Sequence, residues 1–305
     1  MKLEGVLPVL KPQGMTSHDV VATARRLLGL RRIGHTGTLD PQVKGVLPLC
    51  LGRATRIAEY IQDLPKTYLA TLHVGVATDT EDLSGTVVSR AGNVRLTEER
   101  VRHALCKFLG EIEQIPPMYS AVKVQGKKLY ELARQGIVVE RKPRKVTIYE
   151  LEIEKMNLDL PVPEITFTVR CSKGTYIRTL CVDIGRALGY PAAMGELVRT
   201  STGLISLDQC LELRQIEEAA ANQTLDRYII PTDRAVGHFP ACIVPGRYAE
   251  AALNGRKVPV GANETLSAEE NQLVRLYSDD GRFLGIFRLQ RQGTSAFAAP
   301  VKVFH

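Results

Sequence analysis

Gly34-His35-Thr36-Gly37-Thr38-Leu39-Asp40-Pro41, followed after three residues by Gly45-Val46-Leu47-Pro48-Leu49-Cys50-Leu51-Gly52, is the stretch on which the reading of this chain turns. The second part is an apolar run too short for a typical helix and bounded by glycines, which predicts a buried strand. The first part sets one carboxylate in a segment built to hold a backbone rather than to fill a core. Its glycines permit angles closed to other residues, and Pro41 fixes φ just beyond the acid. Gly, Thr, Asp and Pro also make ordinary surface turns. An acid loop leaning on a buried strand nevertheless makes Asp40 a candidate reactive group.

Outward from this stretch, Gly5 to Leu10 reads as a strand, and Ser17 is placed to cap a helix over His18 to Leu28 that ends at Gly29. A helix near Ala54 to Gln62 precedes a strand from Lys66 to Val76, in which Tyr68, Ala70, Leu72 and Val74 share the apolar face. Thr97 caps a helix from Glu98 to Leu109. Pro116 and Pro117 forbid helix and force an extended approach to a segment with a short amphipathic helix over Lys127 to Gln135. Strands over Lys145 to Lys155 and Glu164 to Cys171 follow, and Thr175 can cap a helix from Tyr176 to Leu188. Tyr176 and Arg178 then lie in a first helical turn directly after a strand. A cation there opposes the helix dipole unless a carboxylate pairs with it. Leu197 to Gly203 is a further strand, and a helix near Gln215 to Ala221 precedes Pro231. From about Phe239 the texture changes to short strands and turns, with a short helix over Arg247 to Asn254 and a hairpin turn at Asp279-Asp280-Gly281, which places a domain boundary at 238.

A chain of 305 residues, 44% hydrophobic and 24% charged, has ample core for about two soluble globular domains. Its six cysteines include no C-x-x-C pair and no histidine at ligand spacing, which argues against a zinc site and a disulfide framework. No P-loop, dinucleotide fingerprint or His-Glu-x-x-His occurs, so the chemistry is expected to need neither metal nor cofactor. No signal-peptide organisation or membrane-length apolar run is present, and the cytoplasm is the expected address. The net charge of +7 is concentrated: between Lys123 and Lys145 eight basic side chains face two acidic ones. Such a run is either a solvated face or an arm for a polyanion.

Six blocks then occur in one order. They are Lys11-Pro12 with Gly14-Met15-Thr16-Ser17, the acid loop with Gly45-Val46-Leu47-Pro48, Lys66-Thr67-Tyr68, Pro116-Pro117-Met118-Tyr119-Ser120-Ala121, Lys173-Gly174-Thr175-Tyr176-Ile177-Arg178, and Leu197-Val198-Arg199. Together they resemble the motif set of the bacterial TruB-type tRNA pseudouridine synthases, closely over about residues 3 to 205. The remainder more loosely resembles the small RNA-binding PUA-like domain of such enzymes. The resemblance implies an α+β fold: a catalytic domain over 1–238 with a mixed, mainly antiparallel sheet and a basic thumb insertion at about 120–146, then a small, mainly-β PUA-like domain over 239–305.

It also implies a reaction, the isomerisation of uridine 55 in the T loop of tRNA. The N-glycosidic bond breaks, the base turns, and a carbon-carbon bond forms to C1′. Asp40 matches the family's essential aspartate, which acts either as a nucleophile or by removing a ribose proton, and Arg178 matches the arginine that keeps it ionised. A base stacked in a folded loop must be extruded to be reached. By the same resemblance Tyr68 stacks on the flipped base and joins Asp40 and Arg178 in the catalytic group, Tyr176 and Leu197 line the pocket, and His35 contacts the nucleotides disturbed by flipping. Lys123, Lys127, Lys128, Arg141, Lys142, Arg144 and Lys145 of the arm would grip the RNA, with Lys11 as a further contact. The implied partner is the T stem-loop of tRNA, bound by a monomer without guide RNA, protein partner or membrane. Lys44 departs from the family, which carries a small residue there, and is read as pointing to solvent. Two rival readings are a tRNA-binding or tRNA-folding protein in which catalysis is secondary, and an enzyme for another RNA loop folded like a T loop. Asp40 discriminates against the first, because a pure binder has no use for an acid facing phosphate.

Overall fold

The computed structural model describes residues 3–124, 126–261, 271–292 and 295–305. The apolar run forms strand β3 (Lys44–Leu51), which pairs antiparallel with β1 (Gly5–Lys11) along one edge and with β2 (Ile33–His35) on the other. Its side chains are buried on both faces. Leu47, Leu49 and Leu51 pack with Val20, Val21 and Ala24 of helix α1 (Ser17–Leu28), while Val46 and Cys50 pack with Ile57 and Ile61. Burial on both sides is why the strand reads as a continuous apolar run rather than as an alternation. Helix α1 ends at Gly29 in the left-handed region (φ 60), as expected. Its cap is Thr16, not Ser17: the Thr16 hydroxyl accepts from the Asp19 backbone N–H at 3.0 Å, and the Asp19 carboxylate accepts from the Thr16 N–H at 2.8 Å. This reciprocal pair is a capping box. It frees Ser17 to turn inward.

A 3₁₀ turn over Gly52–Ile57 leads into α2 (Ala58–Asp63) and then β4 (Lys66–Val74), with Ala70, Leu72 and Val74 buried on its core face. The expected strand to Val76 breaks at Gly75 (φ 108), beyond which β5 (Val76–Thr78) and β6 (Val87–Arg90) form a separate ribbon. Thr97 caps α3 (Glu98–Cys106), and β7 (Gly110–Gln114) forms the sheet edge. The basic segment carries a small hairpin of β8 (Lys123–Val124) and β9 (Lys127–Lys128), then α4 (Leu129–Arg134), anchored by buried Leu129 and Leu132. Next come β10 (Arg144–Asn157), β11 (Glu164–Cys171), α5 (Ile177–Leu188), β12 (Ala192–Thr202) and β13 (Ile205–Ser206).

The main sheet runs β1-β3-β12-β4-β11-β10-β7 and is antiparallel except where β12 lies parallel to β3. Helices α3 and α5 cover β4, β10, β11 and β12 through Val101, Leu105, Leu180 and Ile184. After α6 (Leu213–Ala221) and α7 (Thr232–Ala235), the chain makes a second, five-stranded sheet. Its order is β14-β16-β17-β18-β15, from β14 (Ala241–Val244), β15 (Val258–Val260), β16 (Leu273–Ser278), β17 (Phe283–Gln292) and β18 (Ser295–Val303), with α8 (Ala249–Leu253) packed on it. The fold is α+β, with mainly antiparallel sheets and a C-terminal β domain. No helix among the described residues is long and apolar enough to cross a membrane.

Candidate active site

Asp40 lies in the loop between β2 and β3, and that loop is tied from both flanks. Buried Ser17 accepts the Leu39 N–H at 2.9 Å just before the acid. Just after it, the Lys11 ammonium donates to the carbonyls of Pro41 at 3.2 Å and Val43 at 2.7 Å, and to Pro12 at 2.8 Å. Further back, Arg199 donates to the Gly37 carbonyl at 3.2 Å and to Val46 at 2.7 Å. Gly37 has φ 86, a conformation costly for any side chain, so the glycine at this bend is needed for the loop to reach the strand.

The carboxylate of Asp40 forms an ion pair with Arg178 Nη2 at 2.9 Å, with the arginine side chain 7% exposed and the acid 47% exposed. The same guanidinium donates to the Thr80 carbonyl at 3.1 Å and to the Tyr119 carbonyl at 2.8 Å. Three segments therefore fix the arginine, and the acid hangs from it half in solvent. The unfavourable placement of a cation in the first turn of α5 is offset by this ion pair. Thr175 does not cap the helix; its hydroxyl donates back to the Ser172 carbonyl at 2.9 Å. The start of α5 is held instead by the buried Gln114 amide, which accepts the Tyr176 N–H at 3.0 Å and donates to the Tyr176 carbonyl at 3.2 Å.

Tyr68 on β4 and Leu197 on β12 are half-buried against the core between the sheet and α5, and in the strand register Arg199 stands opposite Tyr68. Burial pushes the Tyr68 hydroxyl above its ordinary pKa, and the charge of Arg199 pulls the other way. Tyr176 is half-buried at the helix start. His35, half-buried on β2, is pushed below its ordinary pKa by burial, so it is neutral at pH 7. Asp40 and Arg178 are thus brought into contact, and Tyr68 and Leu197 onto adjacent strands beside them.

Lys11 requires a correction. It was expected to touch RNA, but its side chain is 0% exposed and its ammonium is spent on loop carbonyls. In the basic arm, Lys127, Lys142 and Arg144 are exposed. Lys128 is half-buried with Nζ 3.4 Å from the Tyr130 hydroxyl, Arg141 donates to the Pro116 carbonyl at 3.1 Å, and Lys145 pairs with Glu111 at 2.8 Å. The backbone of Lys123 pairs with Lys128 in the small hairpin, and its side chain lies outside what the structure describes. Lys44 is exposed, as read. Sequence reasoning missed Ser17, Lys66, Gln114 and Arg199 as parts of this site. Ser17, Lys66 and Arg199 stand inside the matched motifs, and burial is the property that a motif does not display.

Known proteins match this chain along most of its length. The family described as TruB family pseudouridylate synthase (N terminal domain) matches residues 25–177, and the tRNA pseudouridylate synthase B C-terminal domain matches residues 178–237. The tRNA pseudouridine synthase B of Geobacillus thermodenitrificans is 49% identical over 83% of this chain and 85% of its own length. That of Halalkalibacterium halodurans is 44% identical over 99% of this chain and 98% of its own. Among solved structures, a Cbf5-Nop10-Gar1 complex aligns with a TM-score of 0.77 at 28% identity, covering 99% of this chain and 85% of the other. The archaeal box H/ACA sRNP Nop10-Cbf5 complex aligns with a TM-score of 0.74 at 26% identity, covering 100% and 87%.

Proposed function

This chain belongs to the TruB family of pseudouridylate synthases, and we propose that it isomerises uridine 55 in the T loop of tRNA to pseudouridine. The observation that carries the reading is the Asp40–Arg178 pair at 2.9 Å, set in a loop tied on both flanks while the acid itself stays half-exposed. A carboxylate so placed can meet a nucleotide without moving. Placement of this kind supplies much of a rate enhancement, because orientation is settled before the substrate arrives.

In the proposed cycle the uridine is extruded from the loop, and the lost stacking is replaced by Tyr68, Tyr176 and Leu197. The N1–C1′ bond breaks with its electron pair going to the base. Asp40 meets the change at the ribose, either by bonding to C1′ or by taking a ribose proton. The base turns and C5 bonds to C1′ as the Asp40 oxygen leaves or the ribose proton returns; the C5 proton is lost and N1 gains one, which frees Asp40. Tyr68 stacks on the base, Arg178 holds Asp40, and His35 contacts the displaced nucleotides as a neutral ring. The substrate assignment draws on the tRNA named in the relatives and on the exposed cations Lys127, Lys142 and Arg144. The layout proposed is a catalytic domain over 1–238 and a PUA-like domain over 239–305, working in the cytoplasm as a monomer without guide RNA.

The test is to incubate the purified protein with unmodified tRNA transcript and map pseudouridine chemically. Product is expected at uridine 55 of the T loop; its absence, with folded protein and intact RNA, sinks the proposal. Asp40→Asn should lower turnover by at least about a thousandfold, the scale of removing a group on which the chemistry depends, while RNA affinity stays within about threefold. If Asp40→Asn loses turnover yet leaves every cellular phenotype unchanged, binding and folding of tRNA is the main role; if it keeps wild-type turnover, the chemistry does not depend on this acid.

A further inference from the structure

Three buried cations lie under the acid loop, and none has a carboxylate partner among the described residues. Arg199 is 1% exposed, Lys11 0% and Lys66 5%. Their donors end on carbonyl oxygens: Gly37 and Val46 for Arg199, Pro12, Pro41 and Val43 for Lys11, Leu64 at 2.7 Å and Gln62 for Lys66. A methyl group at Gly37 would sit 3.4 Å from Arg199 Nη1 and 3.9 Å from Lys66 Cε, which places both side chains against the loop that carries Asp40. Carbonyls satisfy the hydrogen bonds of a cation and leave its charge uncancelled. Buried charges are ordinarily paired, so three unpaired ones beneath one loop call for a reason beyond packing.

We propose that Arg199, with Lys11 and Lys66, forms a cationic floor of the active site that stabilises the negative charge the reaction places there. Two anionic groups fit it: the ionised Asp40, and the uracil that leaves with the N1–C1′ electron pair. This rests on the functional reading above. The bond that breaks is N1–C1′, and the pair goes to the base. The deficit at C1′ is met by an Asp40 oxygen or by loss of a ribose proton to it. As C5 bonds to C1′ the Asp40 oxygen leaves C1′, or the ribose proton returns from Asp40; C5 then gives up its proton and N1 takes one up, so the product is an isomer of the substrate and nothing is oxidised or reduced. Charges that are themselves buried and fixed act on such an intermediate without reorganising. If the only task were to hold the loop, neutral amides could make the same hydrogen bonds. Arg199 is thus a positioning residue whose charge, and not only its geometry, matters.

The two lysines make the floor sensitive to pH. Burial lowers Lys11 to about 8, with Arg199 acting the same way and Asp40 and Asp19 opposing. Burial also lowers Lys66 to about 8, with Arg199 and Lys173 acting the same way and Cys171 and Asp63 opposing. Two charges of the floor are therefore lost as pH rises past 8, while a guanidinium keeps its own.

The experiment measures single-turnover pseudouridine formation on a T stem-loop RNA, and the Kd for that RNA, across about pH 6.5 to 9.5. Wild-type protein supplies the control: no turnover by wild type sinks the functional reading itself. Given turnover, Arg199→Gln, which keeps amide donors and removes the charge, should slow it by about a hundredfold, the scale for losing one group that stabilises developing charge, with Kd within about threefold. Arg199→Lys should stay within about tenfold of wild type at pH 7 and then lose rate more steeply than wild type toward pH 9, since a buried amine neutralises there. Ionisation of the base itself is common to both proteins and cancels in the comparison. A folded Arg199→Gln turning over within about threefold of wild type overturns the floor. So does an Arg199→Lys pH profile that superposes on wild type, and that comparison decides the matter if the Gln variant does not fold.

Discussion

Lys11 holds the acid loop by offering one ammonium to three carbonyls, two of them on the loop itself. Lys11→Met would fill the space and leave those acceptors without a donor. One unsatisfied buried acceptor costs about 1–3 kcal/mol, so a loss of about 2–4 kcal/mol is expected in urea unfolding, together with slower turnover at nearly unchanged RNA affinity. The pH dependence has a definite sign. Lys11 takes up a proton near 8 when folded and at 10.5 as a free amine, so between those values the unfolded chain binds more protons and stability rises with pH. Urea midpoints at about pH 7.5 and 10 should show this rise in wild type and a smaller one in Lys11→Met; equal rises in the two would remove Lys11 as its source. Stability and activity thus move in opposite directions through the same window. The sequence showed a lysine before a turn in a recognised motif, which reads naturally as a surface cation for RNA. Where an ammonium ends depends on a loop 30 residues away, and no local pattern carries that. Asp40 was legible because its glycines, its proline and the apolar strand after it lie within one short stretch.

Elements divide along the same line. Strand β11 runs from Glu164 to Cys171 as read, since its alternation is strict and both neighbours pair with it. The start of α5 was misread, because Thr175 turns its hydroxyl back to Ser172 and the group that holds Tyr176 comes from Gln114, 62 residues earlier. At α1 the error was a single residue with a functional consequence. Thr16 caps the helix and Ser17 faces the acid loop, so the two neighbours should respond differently to loss of the hydroxyl. Thr16→Ala is expected to cost about 1 kcal/mol of stability with turnover unchanged. Ser17→Ala frees the Leu39 N–H beside Asp40 and should slow turnover by more than its effect on stability predicts. Denaturation midpoints and single-turnover rates on the same preparations separate them, and equal behaviour of the two variants would contradict this division of labour.

At the scale of the whole molecule, the two sheets share a core as well as a chain. Ile286 and Phe304 of the C-terminal part pack with Val46, Cys50, Ile57 and Ile61 behind the acid loop's strand, and Lys302 pairs with Glu59 at 2.9 Å. A chain ending at 238 would expose that face, forgoing about 1.5–3 kcal/mol for each large side chain no longer covered, and should melt several degrees lower than the intact protein. An unchanged melting temperature for residues 1–238 would mean that the catalytic sheet does not depend on this contact.

The charge of the molecule makes a separate prediction, because the cations of the arm are not equivalent. Lys127, Lys142 and Arg144 are exposed with no ion pair among the described residues, whereas Lys145 is paired with Glu111 and Arg141 is drawn onto the Pro116 carbonyl. Each phosphate contact releases counterions and contributes about 0.7–0.9 to the slope of log affinity against log salt. Replacing Lys127, Lys142 and Arg144 together by glutamine should therefore flatten that slope by about 2 for a T stem-loop RNA, while the rate at saturating RNA stays near wild type. Lys145→Gln should leave most of the slope in place. A triple variant with the wild-type slope would put the RNA elsewhere on the surface, and a triple variant with a normal slope deficit but a lost rate would mean that the arm also shapes the pocket, a route that exists through Tyr119 and its bond to Arg178.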